Sequence, residues 1–140
     1  METNELTGLV ARAAELRQKL EGRLPPRVQF DYKDFLLGVV GMSHTAVGMY
    51  MLMLMHQLDK GSLPASKQEL WPIARCHGEL EEMLLHLDAA LTKFTEHEGR
   101  LYNKRALQEW IAAAEAMLGF RERGRAGGKR KAEQLKQEPF

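Results

Sequence analysis

Gly41–Arg75 reads GMSHTAVGMYMLMLMHQLDKGSLPASKQELWPIAR, and the interpretation of this stretch decides the fold. It holds the densest apolar run of the chain, then a Gly/Pro break at Gly61–Pro64, then a second helix start. The alternation of Met and Leu within Tyr50–Met55 would also suit a strand. Length, a Ser43 N-cap and the low β-propensity of Met and Leu favour a helix over His44–Leu58. Apolar residues on most sides place that helix at the centre of a domain. After the turn Asp59–Pro64, Ser66 with Glu69 three residues later predicts a capping box. The helix that follows carries Leu70, Trp71, Ile73 and Ala74, and Pro72 makes it short or kinked.

Working outward, Thr3–Glu21 predicts an amphipathic helix with Leu6, Leu9, Val10, Ala13, Leu16 and Leu20 on one face. Thr3 or Asn4 serves as its cap and Gly22 closes it. That stripe approximates a heptad seam, so it can dock on its own domain or pair with a second copy as a homodimer through residues 3–21. Pro25 and Pro26 end it. Asp31 caps a short helix, Tyr32–Val40, that buries Phe35, Leu36 and Val39. Glu79–Thr92 forms a further helix with Leu80, Met83, Leu84, Leu87, Ala90 and Leu91 on one face. Phe94–Thr95 and Arg100–Tyr102 form the arms of a hairpin around a turn at Glu96–Gly99. Asn103 caps a last helix, Lys104–Phe120, with Leu107, Trp110, Ile111, Ala114, Met117 and Leu118 inward. From Arg121 the composition turns to charge and glycine, and predicts a flexible or locally helical tail.

Helix, turn, helix, helix, hairpin is the order of a winged helix. The expected fold is therefore mainly α: a winged-helix-like domain over residues 23–120, an N-terminal helix over 1–22 and a basic tail over 121–140. Apolar residues are 44% of the chain, enough for a core, while aromatics are 7% and Met numbers 8. Packing thus falls to Leu, Met and Ala, with Trp71 and Trp110 as anchors. The single cysteine, Cys76, cannot close an internal disulfide, and the N-terminus lacks a secretory signal pattern. Thr45–Met55 is too short and interrupted for a membrane span, which needs about 20 apolar residues. These features suggest a cytoplasmic protein with no membrane partner.

Several features in order carry a resemblance: SHTAVGMYMLML from Ser43, the turn GSLPAS, the later IAR, then LTKFTEHEGRLYNKRALQEW, and RGRAGGKRK near the end. Over about residues 30–131 the chain resembles the YdaU-like family of phage and prophage replication regions. The matching positions are Ser43, Gly48, Tyr50, Leu52, Leu54, Leu63, Pro64, Ile73, Ala74, Arg75, Phe94, Gly99, Leu101, Tyr102, Lys104 and Arg105. Met42 and Val47 depart from the family pattern in ways that are conservative for packing. The resemblance implies a bacterial host cell, a phage replication context and contact with DNA, and supplies no mechanism.

Charge distribution refines that expectation. A winged helix reads DNA with its third helix, here Glu79–Thr92, yet that segment carries Glu79, Glu81, Glu82 and Asp88 and no Lys or Arg before Lys93. Phosphates repel such a face. Those acids form either a solvated face, favoured by the helix dipole near its start, or a surface for a protein partner. Such a partner would be a phage or host replication or defence complex. Positive charge lies instead at Arg100, Lys104 and Arg105 beside the hairpin, and at Arg121, Arg123, Arg125, Lys129, Arg130 and Lys131 in the tail. These predict non-specific, salt-sensitive nucleic-acid contact, with Tyr102 as the single aromatic interleaved among them.

Enzyme signatures are lacking: there is no Gly-rich phosphate loop, Gly-x-Ser-x-Gly or His-Glu-x-x-His. Cys76 and the histidines at 44, 56, 77, 86 and 97 show no metal-ligand spacing. Asp31 and Asp34 read as capping residues. The expectation is a non-catalytic protein without metal or cofactor.

Overall fold

Ser43 accepts a hydrogen bond from the Ala46 N–H at 3.0 Å and so starts the central helix. The computed structural model describes residues 2–137; for Glu2, Thr3, Arg125, Ala126 and residues 128–137 it describes the backbone alone. Among the described residues six helices and three short strands run in the order α1 (Glu2–Lys19), α2 (Tyr32–Gly38), α3 (His44–Lys60), β1 (Leu63–Pro64), α4 (Lys67–Ile73), α5 (Leu80–Leu91), β2 (Thr95–His97), β3 (Arg100–Tyr102) and α6 (Lys104–Gln137). From α3 to β3 this is the winged-helix order. The fold is mainly α, with a small antiparallel sheet in the order β1-β3-β2.

Helix α3 occupies the centre as its composition requires, burying Ala46, Met49, Tyr50, Met53, Leu54 and Gln57. Its apolar surround is not fully used, and Met55 stays exposed. The helix stops at Gly61, whose φ of +97° is left-handed and whose N–H reaches back to the Gln57 carbonyl. The chain can then turn sharply, and Leu63 pairs with Leu101 and Pro64 with Arg100. The sequence reading had only a turn here. Two residues are too few for an alternation signal, and Pro64 argues against a central strand; β1 is an edge strand, where a missing N–H is tolerated.

Three local expectations are corrected. The hairpin turn is two residues, Glu98 and Gly99, both with positive φ, so Glu96 and His97 belong to β2. Two positive φ values are what a tight hairpin with the strands' own twist demands. Ser66 sits at the start of α4 but makes no side-chain cap hydrogen bond. In α2 no residue is fully buried, and Leu36, expected inside, is 61% exposed. Two turns of helix lie on the surface of α3 and offer only Phe35 and Val39 to the core.

The apolar interior divides into two clusters. One joins α3, β1, α4, α5 and β3 around Met53, Leu63, Leu70 and Leu87. The other joins Leu6, Ala13, Leu16 and Leu20 of α1 to Leu107, Trp110, Ile111 and Ala114 of α6. Each fully buried leucine contributes about 1.5–3 kcal/mol, so the seam of α1 is committed to its own chain. Docking on its own chain, one of the two alternatives for residues 3–21, is the arrangement seen. Helix α1 packs on α6 through this cluster.

The last correction concerns the tail. Helix α6 does not end at Phe120 but continues to Gln137. Glycines at 124, 127 and 128 each cost about 1 kcal/mol in a helix. Arg, Glu, Ala, Lys and Gln between them are good helix formers, and no proline intervenes before Pro139. Residues 121–137 are thus helical, the second of the two alternatives for the tail, and continue α6.

Candidate nucleic-acid interface

The hairpin cations do not form a free positive face. Arg100, on β3, is exposed and donates through Nε to Ser62 Oγ at 2.9 Å. Lys104 Nζ lies 2.8 Å from Glu5 of α1. Arg105 contacts Asp31 Oδ2 at 3.4 Å through Nη2 and Glu109 Oε1 at 3.2 Å through Nε. Lys104 and Arg105 therefore tie the start of α6 to α1 and to the cap of α2. The pairs are exposed, Glu109 only partly, and each contributes at most about 1 kcal/mol, but each also neutralises charge that phosphate would otherwise meet. Tyr102 is not an open stacking ring either: it is half-buried against the α1–α6 core, in an edge-to-face contact with His97 at 6.3 Å between ring centroids.

Farther along α6, the Arg121 side chain is half-buried, and its Nη1 has no hydrogen-bond partner among the described residues. Arg123 donates to the Gly119 carbonyl at 3.2 Å and stacks its guanidinium 4.7 Å from the centroid of the exposed Phe120 ring. Arg125, Lys129, Arg130 and Lys131 follow on the helical backbone, and their side chains lie outside the described residues. Arg121, Arg125 and Lys129 recur every four residues, the spacing that places positions along one side of a helix.

Helix α5 remains acidic in three dimensions. Glu79 caps it without a side-chain hydrogen bond, and Glu81 and Glu82 are exposed in its first turn. Asp88 pairs with Lys67 of α4 at 2.7 Å. Glu82 lies 3.9 Å from His86 Nε2, while the other ring nitrogen, Nδ1, is 2.7 Å from Ser43 Oγ. Leu80, expected inside, is 60% exposed, and Leu85 is 72% exposed. A helix facing DNA would present cations here; α5 presents leucines between carboxylates.

What sequence reasoning missed is a buried polar knot. Gln57, 2% exposed, donates to the Asn103 carbonyl at 3.0 Å and accepts from the Asn103 N–H at 2.6 Å. Asn103 caps α6 through the Ala106 N–H, as expected, and also donates to the Lys93 carbonyl and the Tyr50 hydroxyl. Burial pushes the Tyr50 phenol above its ordinary pKa. The available signal was a lone amide at position 57 on the face of Tyr50 and Met53. Arg17 is similar: it donates to the Leu58 and Asp59 carbonyls and stacks on Trp110 at 4.6 Å, and burial lowers its pKa.

Cys76 is buried, which raises its thiol pKa. Among the described residues no three His, Cys, Asp or Glu side chains gather as a metal ion would require, and no helix is long and apolar enough to cross a membrane. No family model, curated protein or solved structure matches the chain.

Proposed function

We propose that this chain is a non-catalytic, phage or prophage replication-associated protein that contacts nucleic acid non-specifically through the basic end of α6. The observation that carries the reading is the continuation of α6 beyond the body, with six cations against one acid over Arg121–Lys131. The hairpin contributes Arg100 at most, since Lys104 and Arg105 are already paired. A helix of this charge follows a phosphate backbone without reading bases. The replication context rests on the family resemblance, and a cytoplasmic location goes with it.

The test is DNA binding by fluorescence anisotropy for the full chain and for a chain ending at Phe120, at several salt concentrations. The full chain should bind, with log K falling by about 0.9 per tenfold rise in salt for each phosphate neutralised on duplex DNA. Equal affinity and equal salt slope in the truncated chain would refute the proposal.

A second reading is a protein-interaction module that engages a replication or defence complex through α5. The exposed Leu80 and Leu85 beside Glu79, Glu81 and Glu82 favour it, because leucine flanked by carboxylate suits a basic, apolar partner surface. Charge reversal at the three glutamates separates the two. Loss of partner capture with intact folding supports the module, whereas improved DNA affinity marks the acids as mere opponents of DNA.

A further inference from the structure

The segment Leu24–Phe30, between α1 and α2, and helix α3 together line two adjoining hollows. The first encloses about 410 Å³. Its aromatic lining is Phe30, Phe35 and Tyr50, with Phe35 and Tyr50 stacked at 5.3 Å and Phe30 tilted against Phe35 at 5.2 Å. Asp31, Asp34 and Glu109 also line it, against one cation, Arg105. The second encloses about 480 Å³ and is lined by Leu24, Pro26, Met51, Met55 and Trp110, with Asp59 as its one charged group. The hollows adjoin, sharing Val28, Gln29, Phe30, Met55 and Leu58. Arg27 of the same segment and Arg23 just before it are exposed and line neither.

Two properties define what fits. The surface is apolar and aromatic, as in sites for large side chains. Its charge is negative: Asp31 and Glu109 share the one guanidinium of Arg105, Asp59 pairs with Lys60 at 3.7 Å, and Asp34 adds a further carboxylate to the first hollow. Asp34 has no ion pair among the described residues, and its side chain does not cap α2, a task done by Asp31. Nucleic acid is repelled by such a rim. A cation drawn to it meets aromatic faces, which attract cations through their quadrupole.

We propose that the two hollows form one docking groove for a basic amphipathic segment of a partner protein. A large apolar side chain of that segment fills the hollow of Met51, Met55 and Trp110. A neighbouring lysine or arginine enters the other, over Phe30 and against Asp34. This groove is distinct from the basic end of α6 and does not depend on the nucleic-acid reading.

The test uses the full chain carrying ¹³C-methyl methionine. The probe is a synthetic peptide of about 16 residues, long enough for a helix, with Leu and Lys at amphipathic spacing. Expected are shifts of the Met51 and Met55 methyls, with Met83, which lines neither hollow, unmoved. Asp34→Asn should weaken binding roughly two- to fivefold with an unchanged circular dichroism spectrum, because the cap is untouched. A peptide with Glu in place of Lys, or Ser in place of Leu, should not bind. Silent methyls at saturating peptide, equal binding of the Glu peptide, or undiminished binding by Asp34→Asn would overturn the proposal. So would shifts of the same methyls on raising protein concentration without peptide, which would assign the groove to a second copy.

Discussion

Gln57→Leu tests whether the polar knot, and not apolar packing alone, fastens α6 to the central helix. The substitution keeps the approximate volume and removes an amide whose two ends hold the backbone of Asn103. The consequences for the two backbone groups differ. The Asn103 carbonyl still accepts from the Leu107 N–H at 3.1 Å, so it loses one of two partners, at about 0.5–1.5 kcal/mol. The Asn103 N–H precedes the helix and loses its partner outright while buried, at about 1–3 kcal/mol. A gain from the added apolar surface offsets part of this, on the order of 1 kcal/mol. The expected net destabilisation is roughly 1–3 kcal/mol.

The assay is urea unfolding followed by Trp fluorescence, which reports on the buried Trp110 of α6, with Gln68→Leu on the exposed face of α4 as control. A loss below about 0.5 kcal/mol, or one equal to the control, would show that solvent reaches Asn103 readily and that the knot is incidental. Gln57→Glu sharpens the test. An ionised carboxylate accepts from the Asn103 N–H but opposes its carbonyl and is buried, so its folded pKa rises above the unfolded value. The variant should then be most stable below the ordinary glutamate pKa and lose stability as pH rises through the raised one. A stability difference from the parent that does not vary with pH would contradict the burial on which the argument rests.

Three further outcomes follow from local geometry. Ser43→Ala removes the cap of α3 and the partner of His86 Nδ1, and should cost about 1 kcal/mol in urea unfolding, with Ser43→Asp retaining most of it. Gly61→Ala forces a left-handed alanine and brings its Cβ to 3.1 Å from Arg17 Nε, so a loss of at least about 1–2 kcal/mol is expected, and a neutral result would contradict the assigned backbone. Glu15 is held below the usual carboxylate range, first by its hydrogen bond to Lys19 and then by that to Arg12. Its stabilising effect is therefore in place above the unfolded pKa of about 4.3 and is lost as pH falls through the depressed one; Lys19→Gln with Arg12→Gln should flatten the acid limb of the stability profile.

The stretch Gly41–Arg75 made the central helix and its cap legible because each rests on a strong local signal, a long apolar run and Ser43; its end came two residues later than expected, at Lys60 with Gly61 as the cap. The elements that escaped are those whose formation depends on a distant partner. Strand β1 exists because β3 lies beside it, and nothing within Leu63–Pro64 announces that. Leu36 and Leu80 fall in apolar patterns that a helix would bury if it were covered on that side. Periodicity gives the apolar direction of a helix but not whether another element arrives there. The choice between docking and pairing for α1 had the same origin: Leu6, Leu16 and Leu20 specify a seam, and only the tertiary fold supplies α6 as its occupant.

For the site, sequence located charge correctly and its availability poorly. Arg100, Lys104 and Arg105 are close in sequence, yet Lys104 and Arg105 meet acids from residues 5, 31 and 109. A cation count along a chain overestimates a phosphate-binding face whenever long-range acids are folded against it. The same consideration sharpens the functional proposal. In the winged-helix body α5 is acidic and Lys104 and Arg105 at the hairpin base are paired with acids, so the proposed non-specific contact rests chiefly on α6 beyond Phe120, with Arg100 as the hairpin's contribution. That assignment separates the chain into a cationic end and a body whose exposed apolar sites are rimmed by carboxylates, the arrangement in which a nucleic-acid contact and a protein contact do not compete for one surface.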